Sequence, residues 1–518
     1  MESITKNSSR NIFFGVILKA YQILVPFFIR TAMIYLMGVE YLGLNSLFTS
    51  ILQVLNLAEL GVGSAMIYCM YRPIAENNGL KICSLLKLYK IYYRIIGIII
   101  AVVGISLTPF IPRLISGDVP RGINIYILYL LNLAATVLSY WLFAYKNSLL
   151  QAFQRADIVS KVTLITSTIQ YGLQILVLWL FHDYYMFIII MLMSQVLNNI
   201  VIAAVANKMY PNFQPTGDVS KSARKEISEK IRDLFTAKLG TVFSTSVDSV
   251  VVSASLGLTI LAIYQNYFYI MHAIVGILLV LFNSITAGIG NSLITESIDK
   301  NYDNFRKFAF LTIWICVVCI SCFICLYQPF MIMWVGKDLL LPDLMVIFLA
   351  IYFYVYVVQS FSCIYKDAAG IWHQDRFRPI IAGIINLILN ISLVKVWGIY
   401  AIVLSTIISY VLVAMPWVVA NLFKLVFKRN PCGYIVEMII GLISAAVCST
   451  VCYGICAFIP GEGIFSFLVK GFLTIIVSNV IYILMRRKNR YFNSSIDLID
   501  SVTKYKLIKI TKIIRNKE

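Results

Sequence analysis

Six ionisable side chains sit inside long apolar stretches, where a bilayer interior would be. Lys19, Arg30, Arg94 and Lys238 are basic; Glu59 and Asp248 are acidic. A charge at mid-membrane costs about 2.5–3.5 kcal/mol on insertion scales and is retained where it faces a hydrated cavity or a partner. Lys19 and Arg30 are eleven residues apart, about three helical turns, so they share one face. Pro26 lies between them and is placed to kink that helix. Lys87, Lys90 and Arg94 form a second basic stripe. Basic groups on such stripes can line a hydrated, positively charged cavity, and partly dehydrated Arg and Lys hold phosphate well.

Each of these residues also has a plainer reading. The long stems of Lys19, Lys87, Lys90 and Arg94 can snorkel to the inner interface, and Arg30 is the hardest to explain that way. Glu59 and Asp248 are too short to snorkel far. They read either as buried ion pairs or helix-to-helix hydrogen bonds, or as sites for a coupling cation or proton. Lys238 and Asp248, ten residues apart, point to different sides of their helix.

The elements that must hold these groups are membrane spans. Hydrophobic residues make up 60% of the 518, charged residues 13%, and mean hydropathy is +0.85. A soluble domain carries about a quarter charged residues. Apolar windows fall at 12–37, 44–70, 87–111, 122–145, 158–181, 184–207, 234–256, 260–293, 308–330, 342–365, 379–396, 398–423, 433–459 and 464–485. Their length and lack of polar alternation specify helices and exclude an outer-membrane barrel. The expectation is an all-α polytopic membrane protein of about fourteen transmembrane helices. The short polar start, MESITKNSSRN, is followed by no small-residue cleavage site, so the first span is expected to stay in the mature chain.

Net charge is +19, from 43 Lys and Arg against 24 Asp and Glu. In a soluble protein this would suggest nucleic acid, but here the charge is distributed by topology. With both termini cytoplasmic, the outer loops hold only Arg113, Arg121, Lys337 and Lys395. The other basic loop residues fall inside, as the positive-inside rule requires. The tail over 486–518 is basic with Ile and Leu at helical spacing. That pattern reads as an interfacial helix on the anionic leaflet, with a partner-binding tail as the rival reading.

Three weak similarities recur at nearly one offset. Lys19 (LKAYQ) and Lys238 (AKLGT) are 219 residues apart, Gln154 and Gln374 are 220 apart, and LGVGSAM and AGIGNSL are 227 apart. They suggest two six-helix lobes of one orientation, the architecture in which transporters place substrate between repeats. The expected organisation is a lobe at 1–207, a linker at 208–233, a second lobe at 234–423, two further helices at 424–485 and the tail at 486–518.

Other patterns carry no chemistry. Cys316, Cys319, Cys322 and Cys325 mimic iron–sulfur spacing but lie in an apolar helix with no loop to wrap a cluster. Cys448, Cys452 and Cys456 read as small packing residues on one face. The three histidines, His182, His272 and His373, are scattered, and no phosphate-binding loop motif is present. No cofactor is expected.

The segment RTAMIYLMGVEYLGLNSLFTSILQVLNLAELGVGSAMIYCMYRPIAENN resembles bacterial polysaccharide flippases, which translocate undecaprenyl-pyrophosphate-linked oligosaccharides. IYQNYFYIM, AAGIWHQDRFRP and STSVDSVVVSASLG, around Asp248, are similar to later motifs of that family. The resemblance runs to about residue 485 and is most specific in the second window. The family lies in the multidrug, oligosaccharidyl-lipid and polysaccharide (MOP) exporter superfamily. It implies two six-helix lobes around a central cavity, with two added C-terminal helices in many polysaccharide members. It further implies that Lys19, Arg30 and Lys238, with Arg94, face the pyrophosphate or acidic sugars. The polyprenyl tail would stay in the bilayer. No motif of the family fixes an ion-coupling site here, and Glu59 and Asp248 stand as candidates for coupling Na+ or H+ by their place inside spans. Expected partners are the lipid-linked oligosaccharide, membrane lipids and a polysaccharide polymerase or glycosyltransferase, in a bacterial cell membrane.

Two other functions compete. A cation-coupled drug antiporter of the same superfamily would favour acidic cavity residues and twelve helices. A membrane glycosyltransferase or polymerase needs paired acids or basic residues on a substantial outer loop. The outer loops here are short, the longest around 328–341, and no paired carboxylates sit on them.

Overall fold

The computed structural model describes residues 2–502 except 60, 118, 121 and 462. Side chains are described outside 2–9, 12, 58, 230, 233, 234, 236–245, 287 and 498–502. The described residues contain helices and no strand. Eleven helices are long and apolar enough to cross a membrane, twelve if one bent pair is a single span. The chain is therefore a multi-pass, all-helical membrane protein.

Two compact units divide it, Met1–Asn266 with Asn390–Ile399, and Tyr267–Leu389 with Tyr400–Glu518. The first begins with α1 (Glu2–Leu36), α2 (Val39–Leu55), α3 (Val62–Ala75) and α4 (Gly79–Leu107). It continues with α5 (Ile125–Trp141), α6 (Ala144–Ala152), α7 (Ala156–Leu180), α8 (Tyr184–Met209) and α9 (Lys221–Leu256). The division passes through α10 (Leu258–Thr295) after Asn266. The second unit holds α11 (Ile298–Val335), α12 (Asp343–Ala368) and the short α13 (Trp372–Asp375). Next come α14 (Arg378–Trp397), whose end belongs to the first unit, α15 (Ile399–Ser409) and α16 (Met415–Asn421). The chain ends in α17 (Cys432–Ala457), α18 (Ile464–Arg486) and α19 (Phe492–Val502).

Two of the fourteen sequence windows do not appear as simple spans. The window at 44–70 is interrupted by a 3-10 turn at Asn56–Glu59 and by Gly61 at φ +90°. That is a left-handed conformation which glycine adopts without steric cost. The window at 234–256 lies in α9, where the described apolar part is the short stretch Ser246–Leu256. The bent pair, α5 and α6, meets at 48° around Phe143, also left-handed at φ +60°. Helical structure is continuous over Ile399–Phe427 but widens to π-helix at Tyr410–Ala414. Pro416 follows one residue later, after Met415, and its ring would clash with the carbonyl four residues earlier in a regular helix.

Close approach fixes the first unit. A Cβ at Gly43 would run into the Leu258 carbonyl, so glycine lets α2 meet the start of α10. The connection 210–220 is held to this unit. Lys146 Nζ donates to the Phe213 carbonyl (3.0 Å), Lys87 pairs with Asp218 (2.9 Å), and Phe153 stacks on Tyr210. Lys87, placed in a basic stripe by the sequence, is thus engaged by the connection. In the second unit Cys325, Cys452 and Cys456 form a core cluster with Leu326 and Val477, the packing role expected of small residues.

The matched positions Gln154 and Gln374 carry similar local devices, each within its own unit. The Gln154 carbonyl accepts from Asn11 Nδ2 (2.9 Å), and the Gln374 carbonyl accepts from Trp417 Nε1 (3.0 Å). Close behind each stands a buried aspartate. Asp157 is paired with Arg10, Arg155 and Lys161. Asp375 is paired with Lys366 and, through both oxygens, with Arg378.

Candidate substrate and coupling sites

Arg30 lies near the end of α1 and is half-buried. Asn266, fully buried on α10, accepts from its Nε at 3.2 Å and its Nη2 at 3.0 Å through Oδ1. A hydrogen bond to a charged donor contributes about 1.5–3 kcal/mol. This amide is itself neutral, and it sets the direction of the guanidinium. Lys19, on the same helix, is exposed, as is Arg94 on α4. The side chain of Lys238 lies outside the described residues.

Asp248, near the end of α9, is 7% exposed. Asn390 Nδ2 donates to its Oδ1 at 2.6 Å from α14 and is itself fully buried. Around this pair Gln265 Nε2 donates to Ser249 Oγ (2.7 Å), and Ser246 Oγ donates to Gln53 Oε1 (3.1 Å). The result is a polar cluster of amides, hydroxyls and one carboxylate on α2, α9, α10 and α14, running from buried Asp248 and Asn390 out to the exposed Gln53. Oxygen ligands of this kind suit a hard monovalent cation, and the carboxylate can also take a proton.

Glu59 closes the 3-10 turn that interrupts the second window. Tyr93 donates to its Oε1 at 2.8 Å, and Tyr89 donates to Tyr93 at 2.7 Å. It faces a cavity of about 270 Å³ lined by polar groups, among them Ser64, Asn147, Gln151 and Asn199. Among the described residues no other acidic or basic side chain lines it.

Sequence reasoning picked the charges and missed their partners. Asn266, Asn390, Tyr89 and Tyr93 sit in apolar windows where single amides or phenols barely lower hydropathy. The usable signal was an Asn or Gln at mid-window, where a buried amide must find a partner on another helix. Lys470, inside the last window, was also overlooked.

No family model matches the chain, and no curated protein does. Solved structures do match its fold. The chain is similar to the lipid II flippase MurJ in an inward closed conformation, at 17% identity and TM-score 0.65, over 92% of this chain and 99% of that one. It is similar to an inward-facing multidrug resistance MATE family transporter of the MOP superfamily, at 14% identity and TM-score 0.60, over 79% and 97%. A variant of the Vibrio cholerae MATE transporter VcmN matches at 15% identity and TM-score 0.52, over 83% and 100%. The chain shares its fold with these solved structures, over nearly the full length of each.

Proposed function

We propose that this protein is a flippase. It carries a polyprenyl-pyrophosphate-linked oligosaccharide from the inner to the outer leaflet of a bacterial cell membrane by alternating access, for surface polysaccharide assembly, with both termini cytoplasmic. The observation that carries this reading is Arg30 held on the buried amide of Asn266. A guanidinium within a membrane span whose direction is set by a buried amide is suited to a phosphate oxygen. Lys19, Arg94 and Lys238 supply further positive charge for the pyrophosphate or acidic sugars. Glu59 and Asp248 bind the coupling Na+ or H+, with Asn390 completing the second site. Similarity to a lipid II flippase over 92% of the chain supports a lipid-linked substrate.

The MATE neighbours favour a second reading, a cation-coupled antiporter for small molecules. Binding separates the two. Purified full-length protein is titrated with a short-chain polyprenyl pyrophosphate and, separately, with the organic cation ethidium. Saturable binding of the pyrophosphate, weakened in Arg30→Ala, supports the flippase. Saturable binding of ethidium alone supports the antiporter.

A further inference from the structure

The second unit has a groove that the translocation reading does not use. It measures about 770 Å³ and lies among α11, α12, α17 and α18. Its walls are apolar and small, including Ile324, Ala350, Ala446 and Cys456, so the helices leave a furrow between them. On α17 the lining runs from Leu442 to Ala457, a rise of about 22 Å. That is about one leaflet, half of the 40–45 Å bilayer with its headgroup regions. Its lining reaches Ile332, Asp343 and Ala457, at or near the Val335, Asp343 and Ala457 ends of α11, α12 and α17, and the chain runs on from there through α18 to the basic tail at the opposite end of that helix.

Among the described residues two charged side chains line it, Asp343 and Lys470. Asp343 accepts from Gln328 Nε2 at 2.9 Å. Lys470 lies six residues into α18, about 9 Å along it. Among the described residues its side chain meets no carboxylate and makes no hydrogen bond. A half-buried ammonium beside an apolar furrow calls for an anion that arrives with an apolar chain. We propose that this groove holds one anionic phospholipid of the leaflet remote from the basic termini, the outer one in the orientation proposed above. One acyl chain lies along α17, and Lys470 pairs with the phosphate. The one-leaflet length favours a phospholipid chain over an isoprenoid long enough to cross the whole bilayer. The lipid would fasten α17 and α18 to α11 and α12, and the proposal stands whichever substrate the protein carries.

The test uses purified full-length protein in nanodiscs of phosphatidylcholine with a minor fraction of phosphatidylglycerol. Lipids retained after mild release are counted by native mass spectrometry. Wild type is expected to keep one phosphatidylglycerol. Lys470→Gln should lose the preference for phosphatidylglycerol, retaining both lipids in proportion to their supply. Ala446→Trp, at an exposed lining position that leaves the core intact, should keep neither. Wild type that retains no lipid, or either variant retaining phosphatidylglycerol as wild type does, overturns the proposal. Retention of the polyprenyl pyrophosphate in place of phospholipid, when both are supplied, overturns the assignment of the occupant.

Discussion

Asn266 Oδ1 accepts two hydrogen bonds from Arg30, from Nε and from Nη2, and the amide itself is closed off from solvent. The contact joins α1 to α10 inside the first unit, so the direction of the guanidinium is set by a helix other than its own. Asn266→Ala removes that aim and keeps the charge. A loss of about 1.5–3 kcal/mol in hydrogen bonding corresponds to roughly 10- to 100-fold weaker pyrophosphate binding. Asn266→Asp should weaken it at least as much, because it adds a countercharge. Equilibrium titration with a short-chain polyprenyl pyrophosphate measures both.

Asp248 and Asn390 test the coupling site. Asn390→Ala leaves a buried carboxylate short of a donor, a cost of about 1–3 kcal/mol, visible as a lower unfolding temperature in detergent. Asp248→Asn removes the charge and keeps a polar side chain. Its expected effect is translocation that no longer responds to an imposed Na+ or H+ gradient. A gradient response equal to wild type would remove Asp248 from the coupling role.

At Glu59 the chain of hydroxyls matters as well as the acid. Glu59→Gln should reduce gradient-driven translocation while pyrophosphate binding changes less than about threefold, under 1 kcal/mol. Tyr93→Phe deletes the donor to Glu59 and should produce a weaker version of the same defect. Equal losses of binding and translocation would indicate a site for substrate rather than for a coupling ion.

Glu437 gives a prediction about stability alone. This buried carboxylate on α17 takes Arg486 from α18 and Arg306 from α11, with Asn489 Nδ2 donating at 3.3 Å. Removing one partner of a buried ionic cluster costs about 3–5 kcal/mol, because the remaining charges stay buried. Glu437→Ala should therefore unfold at a lower temperature, and the double change Glu437→Ala with Arg486→Ala should recover part of the loss. Thermal unfolding in one detergent compares the three proteins.

How far the sequence foretold this architecture differs from level to level. Twenty-residue apolar windows have few options in a bilayer, and each of the fourteen falls on helix in the structure. Eleven stand as long apolar helices, and another is the bent α5 and α6 pair. The 3-10 turn at Asn56–Glu59 and the left-handed Gly61 escaped because hydropathy averages over a turn, while a glycine's conformation acts at one residue. The charges were visible because a lone Arg or Asp is conspicuous among leucines. Their partners were not, since Asn266 and Asn390 meet Arg30 and Asp248 only through folding, from 236 and 142 residues away. Gln154 and Gln374 lie between these extremes: the repeat offset marked them, but the carbonyl contacts that give them a common role needed the coordinates.

If the protein flips a pyrophosphate-linked lipid with Arg30 at its binding site, translocation depends on that guanidinium. The measurement is translocation of a lipid-linked oligosaccharide in proteoliposomes, comparing wild type with Arg30→Ala at matched insertion. Head groups are expected to become accessible on the far side with wild type, and at least tenfold more slowly with the variant. Equal rates would remove Arg30 from the site. No translocation by wild type, across several glycans and ion gradients, would contradict the flippase itself.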